Sequence, residues 1–167
     1  YTGEDTLSLH DALPILLALT AALDYVGIDD VSHGKRVARM AGECGRHAGW
    51  SSPRQDQLIL LGLLHDCGVS SSQVHKRLVS EWEWEGANEH AERGAALLSA
   101  TTLLAQFAAP VRYHHTPWFQ LQRMGLPPML CEQANLIFLV DRVDALRACS
   151  QGVDESALWR EKIASHS

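Results

Sequence analysis

Leu58 to Asp66 reads LILLGLLHD, an apolar run that ends in a histidine and an aspartate. Such a run is too apolar to face water, which predicts a buried helix. Its end sets a nitrogen ligand, His65, beside an anionic oxygen ligand, Asp66, at the edge of a core. Imidazole suits Zn, Fe, Mn, Co or Ni, and carboxylate suits the harder members of that set. Taken alone, the dipeptide has an ordinary explanation. His65 would sit favourably against the helix C-terminal dipole, and Asp66 would open a turn with Gly68.

The rest of the chain changes the balance. His33, His90, the pair His114-His115 and Asp141 each fall at the end or on the inner face of an apolar helical pattern. One buried histidine is ordinary when neutral and hydrogen-bonded. A carboxylate in the apolar face of ANLIFLVDRVDALRA is not, because burying it unpaired costs about several kcal/mol. Arg142 adjoins Asp141 and is expected to point away, so no inward lysine or arginine is evident. A cation shared by Asp141 and the histidines accounts for all of them together. His33 falls in the first turn of its helix, where a charged imidazole is unfavourable, which favours a neutral, ligating form. Asp29 stands four residues before His33 and shares its face if that helix begins early enough.

The elements that must position these groups are all helical. A helix is expected from about Val31 to His47, with Val37, Ala38, Met40, Ala41 and Cys44 as its apolar stripe and Asp29 or Asp30 as cap. Ser51 or Ser52 caps the next, with Pro53 at its first position, running from Arg54 to Asp66. Val74 to Val79 reads as a short helix, and Glu81 to Gly86 (EWEWEG) as an acidic, aromatic surface or lid. Asn88 can cap a helix whose stripe holds His90, Gly94, Leu97 and Leu98, with Gly94 admitting another backbone. Leu103 to Tyr113 is helical despite Pro110, Thr116 to Pro128 is a loop, and Glu132 to Ala148 is a buried helix. No strand-like alternation stands out. The expected fold is all-α, a single bundle of roughly six to eight helices.

Composition bounds the function. The 167 residues suit one domain with a sizeable core. Hydrophobic residues make up 46% and charged residues 20%, as in a folded globular chain. A net charge of -6 argues against nucleic acid as the main partner. Cys44, Cys67, Cys131 and Cys149 show no Cys-x-x-Cys spacing, which points to reduced thiols and a cytoplasmic location. No apolar run reaches the roughly 18 residues of a membrane span. Thr6 to Ile15, TLSLHDALPI, looks like a translated sequencing adapter. Residues 1–15 are therefore expected to be an artefact, and His10 and Asp11 receive no role. The domain is expected over 16–167, cut short at both ends.

The order of these residues resembles a known family. Histidine, His-Asp, histidine, His-His and aspartate recur in that order in the HD superfamily of metal-dependent phosphohydrolases. The finer resemblance is to its HD-GYP branch. It rests on Ser32-His33-Gly34 with Arg36-Val37-Ala38, on Leu63-Leu64-His65-Asp66-Cys67-Gly68, and on His90-Ala91-Glu92-Arg93-Gly94-Ala95 with Leu97-Leu98. Val111-Arg112-Tyr113-His114-His115 with Trp118, and Asp141-Arg142-Val143-Asp144-Ala145-Leu146, complete it. The resemblance implies an HD-domain helical bundle that hydrolyses cyclic di-GMP by a metal-activated water, with two or three divalent ions, Fe or Mn. It implies one ion held by His33, His65, Asp66 and Asp141, and a second held by Asp66, His90, His114 and His115. Asp29 would be an additional acidic ligand. His65 and Asp66 would carry the catalytic role.

This chain also departs from that pattern. Val69 stands where the family has a phosphate-contacting lysine, leaving Lys76 or Arg77 as substitutes. Thr116-Pro117-Trp118-Phe119 and Gly125-Leu126-Pro127 replace the segment containing Gly-Tyr-Pro, with Trp118 as a candidate substrate contact. Three alternatives follow. One is a phosphodiesterase acting on cyclic di-GMP or a related nucleotide. Another is a regulatory module that keeps the metals, has lost turnover and signals through a protein partner. The third is a different HD-type phosphohydrolase or a di-iron oxygenase.

Overall fold

The computed structural model describes residues 32–69 and 87–149, with the single positions 14 and 18. Asp29, Lys76, Arg77, the expected helix at 74–79, the EWEWEG stretch, the tail after 149 and nearly all of residues 1–15 lie outside the described residues. Six helices are described: α1 His33–His47, α2 Ser52–Leu64, α3 Ala87–Ser99, α4 Ala105–Tyr113, α5 Trp118–Leu121 and α6 Pro128–Cys149. No strand occurs among the described residues, so the fold is all-α.

Helix α2 is buried around most of its circumference. Leu58, Leu60, Leu61, Leu63 and Leu64 are all core residues, each worth about 1.5–3 kcal/mol when removed from water. Its other neighbours in the core are Val37, Ala38 and Ala41 of α1, Phe107 and Val111 of α4, and Ile137 and Val140 of α6. The link from α1 to α2 is only Ala48 to Ser51, and the two pack side by side. Such a short link makes them an antiparallel hairpin. Gly62 sets how closely they approach, since a Cβ there would lie 2.6 Å from Ala38 Cα. Helices α3 and α4 form a second packed pair, and α6 lies against α1, α2, α4 and α5.

Some local expectations need correcting. Helix α1 begins at His33, with Ser32 at its cap in a left-handed conformation of φ 97°. Asn88 is the second residue of α3 rather than its cap. Leu97 is 55% exposed, whereas His90, Ala91, Gly94, Ala95 and Leu98 are buried. At about 100° per residue Leu97 falls beyond the edge of that arc, although it is seven residues from His90. Pro110 stays inside α4, and Pro128 starts α6 four residues before the expected Glu132. The expected loop at 116–128 contains α5.

Candidate metal centre

Two antiparallel helix pairs put chain ends together at one end of the bundle. His33 opens α1 and His65 is the C-cap of α2, so the hairpin makes them neighbours. His90 lies in the first turn of α3, while His114 and His115 follow the last residue of α4. Asp141 and Asp144 approach from α6. The turn after α2 is fixed by Cys67 N–H donating to Leu64 O at 3.0 Å and Val69 N–H donating to Asp66 O at 2.9 Å. It presses against α3 so tightly that a Cβ on Gly68 would overlap both His90 O and Gly94 N. Arg93 ties the same turn down by donating to Gly68 O at 2.7 Å.

The result is one cage with Asp66 at its middle. Asp66 Oδ2 lies 3.4 Å from His65 Nε2 and 3.7 Å from His33 Nε2. Its other oxygen, Oδ1, lies 3.2 Å from His90 Nε2 and 4.0 Å from His114 Nε2. Asp141 Oδ1 joins the first group, 3.3 Å from His33 Nε2 and 3.9 Å from His65 Nε2. His90 Nε2 is 3.4 Å from His114 Nε2 and 3.2 Å from His115 Nε2. The ligand atoms of Asp66, His90, His114 and His115 lie within 4.8 Å of one another, as do those of His33, His65 and Asp66. His33, His65, His90, His114 and Asp141 are buried. The Asp66 side chain keeps 20% exposure and His115 is half-buried, so this edge faces solvent.

The donor set fits cations. Two ligands at about 2.1 Å from one ion, at tetrahedral or right angles, stand roughly 3.0–3.4 Å apart, close to several of these separations. His65 Nε2 is buried and has no hydrogen-bond partner, which is costly unless an ion takes its lone pair. Its Nδ1 donates to Gly62 O at 2.7 Å, and His114 Nδ1 donates to Val111 O at 2.6 Å. These back-side bonds leave Nε2 unprotonated and aimed at the centre. Burial, with the neighbouring His90 and His65, takes the His114 pKa down to about 3. Burial also lowers His115, with His114 and His90 adding to it. Burial by itself raises the Asp66 carboxyl, but His65, His90 and His33 hold it well below the usual carboxylate range.

Arg142 does not point away. It is buried, and it donates to Asp141 Oδ2 from Nη2 at 2.7 Å and from Nε at 3.2 Å. The Cβ directions of neighbouring helix residues diverge, but the long arginine side chain still reaches the carboxylate beside it. Asp141 therefore has a cationic partner on one oxygen, and only Oδ1 faces the cage. Without a metal, the groups around His33 favour its charged form. Burial lowers its pKa, but hydrogen bonds to Asp141 and Asp144 outweigh that and raise it to about 10. A proton there occupies the place that a cation would take.

Asp144 and Arg36 form a supporting pair behind His33 that no single stretch of sequence announces. Asp144 Oδ2 accepts from His33 Nδ1 at 2.8 Å. Arg36 grips the same carboxylate with Nε at 2.7 Å to Oδ1 and Nη2 at 2.7 Å to Oδ2. The available signal was that Asp144 follows Asp141 by three residues on one helix face, with Arg36 three after His33. Trp118, read as a substrate contact, is part-buried and packs against Leu121, Cys131 and Ala134.

Residues 31–146 match the HD domain family. The chain is also 41% identical over 129 residues to the 3'3'-cGAMP-specific phosphodiesterase 1 of Vibrio cholerae, an alignment covering 77% of this chain and 30% of that protein. No solved structure matches. No described helix is long and apolar enough to cross a membrane. With these histidines and aspartates gathered in one cage and the match covering residues 31–146, this chain belongs to the HD domain family.

Proposed function

We propose that this domain hydrolyses a phosphodiester of a cyclic dinucleotide, with two divalent ions held by the cage, in the manner of the HD-GYP branch. The observation that carries this is the division of Asp66, whose Oδ2 faces His33 and His65 and whose Oδ1 faces His90 and His114. A carboxylate so placed would offer one oxygen to each of two cations. His33, His65 and Asp141 complete the first group, and His114 and His115 join His90 in the second. Asp29, outside the described residues, is an additional ligand in this proposal. Divalent ions there, Fe or Mn, supply an activated water and charge neutralisation for attack at phosphorus.

The chain's own residues do the rest. Asp66 and His115 mark the solvent edge at which a phosphate enters. Burial keeps His114 and His115 free of protons, so their lone pairs stay available at neutral pH. Arg142 steadies Asp141, and Arg93 brings a guanidinium to the turn that carries Val69. Lys76, Arg77 and Trp118 are further candidates for substrate contact. The Vibrio cholerae relative is named for 3'3'-cGAMP, so that nucleotide stands beside cyclic di-GMP as candidate substrate.

Val69 favours a second proposal. A neutral side chain three residues after Asp66 gives no direct phosphate contact, as suits a module that binds a nucleotide or a signalling protein without turnover. Elemental analysis of anaerobically purified protein, with a hydrolysis panel of cyclic di-GMP, 3'3'-cGAMP and cyclic di-AMP in Mn²⁺ or Fe²⁺, separates the two. Hydrolysis that disappears, along with the metal, in Asp66→Ala supports the enzyme. Bound metal without turnover of any panel member supports the module, and activity surviving in Asp66→Ala refutes the Asp66 assignment.

A further inference from the structure

Three buried histidines of the cage have their outer ring nitrogen held. His33 Nδ1 bonds to Asp144, His65 Nδ1 to Gly62 O and His114 Nδ1 to Val111 O. All three acceptors can only accept, so the proton is fixed on Nδ1. His90 is different. It is 1% exposed, and its Nδ1 is buried with no hydrogen-bond partner. Its Nε2 lies 3.2 Å from Asp66 Oδ1, and that carboxylate is an acceptor. In the metal-free protein a neutral His90 therefore keeps its proton on Nε2, facing the cage.

Ligation through Nε2 requires that proton to move to Nδ1, where no acceptor waits. A buried donor without a partner is costly, and missing outer partners typically weaken metal binding about 10–100-fold. The count of donor atoms acts in the same direction. Among the described residues, the His33 and His65 group has Asp141 Oδ1 as well as its share of Asp66, whereas the His90, His114 and His115 group has only its share of Asp66. Arg142 offsets the charge of Asp141 on its other oxygen, so the difference is one of available oxygens.

We infer that the two cation sites are unequal, and that the His90–His114–His115 site fills second and exchanges its ion readily. Metal supply then sets how much of the protein carries the complete pair. The inference rests on the two-ion reading above and concerns only the order of filling.

Metal-free full-length chain titrated with Mn²⁺, followed by calorimetry and by electron paramagnetic resonance of free Mn²⁺, tests it. Two events separated by about 10–100-fold in Kd are expected. Asp141→Asn should weaken the tighter event alone, and His115→Gln the weaker alone, with circular dichroism confirming that each variant is folded. Long-range ¹⁵N–¹H spectra of the metal-free protein should show His90 protonated on Nε2 and His65 and His114 on Nδ1. Two equal sites, loss of the tighter event in His115→Gln, or a His90 proton on Nδ1 would each overturn the inference while leaving the two-ion reading intact. A total of one ion would overturn both.

Discussion

Replacing Asp144 by Asn tests whether the cage depends on support behind its ligands. Asp144 touches no reacting group. It accepts from His33 Nδ1 at 2.8 Å and from Arg36 at 2.7 Å on each oxygen. Asparagine keeps the shape and one acceptor but loses the charge and one side of the Arg36 grip. Loss of a back-side partner to a metal-bound histidine typically lowers affinity about 10–100-fold, or roughly 1.4–2.8 kcal/mol. The lost charged hydrogen bonds are worth about 1.5–3 kcal/mol of folded stability, which for a chain of this size lowers Tm by about 3–12 °C. Mn²⁺ titration and thermal unfolding of the metal-free protein measure the two effects separately. Only the site containing His33 should weaken. A lowered Tm with unchanged Mn²⁺ affinity would make Asp144 a folding residue only and refute the argument.

Stability of the metal-free protein should depend on pH in two windows. His33 has a folded pKa of about 10 against 6.5 unfolded, so its contribution is complete below 6.5 and is lost as pH rises through 10. His114, at about 3, contributes fully above 6.5 and loses that contribution as pH falls toward 3. Urea midpoints from pH 4 to 10 should therefore peak near neutrality, and bound Mn²⁺, replacing the His33 proton, should flatten the alkaline limb. A metal-free midpoint unchanged between pH 7 and 10 would contradict this. Burial and then Asp66 push the Cys67 thiol up to about 12, whereas Cys44, also raised by partial burial and by Glu43, is exposed. Iodoacetamide at pH 8 should label Cys44 and leave Cys67 unmodified until the protein is unfolded, as read by mass spectrometry. Gly62→Ala drives a methyl group into Ala38 backbone and should destabilise by about 1–3 kcal/mol or more, whereas Gly49→Ala meets no atom within 4 Å but is strained by its φ of 73°. A Gly62→Ala variant with an unchanged urea midpoint would show that the hairpin is looser than its contacts imply.

Five of the six described helices were legible because each rests on local spacing, whereas the four-residue α5 is too short to show a period. LILLGLLHD announces a buried helix by composition alone, and the protein buries Leu58 and the run Leu60 to Leu64. The histidines and aspartates were legible too, since polar residues at the ends and on the inner faces of apolar helices stand out against their neighbours. The family followed from their order.

Other features depended on which helix meets which. Asp144 grips residues 108 and 111 positions away, and no helical period links such distances. Arg142 was misjudged because Cβ direction follows from helix geometry, whereas the path of a long side chain depends on what surrounds it. Leu97 and Leu98 are equally apolar, yet only Leu98 is covered, because α4 packs on one arc of α3. The sequence alone determined that this protein is a helical bundle carrying an ordered set of imidazoles and carboxylates. Only the tertiary structure decided that Asp66 turns one oxygen to each histidine group, because that division arises where two hairpins close over a single side chain.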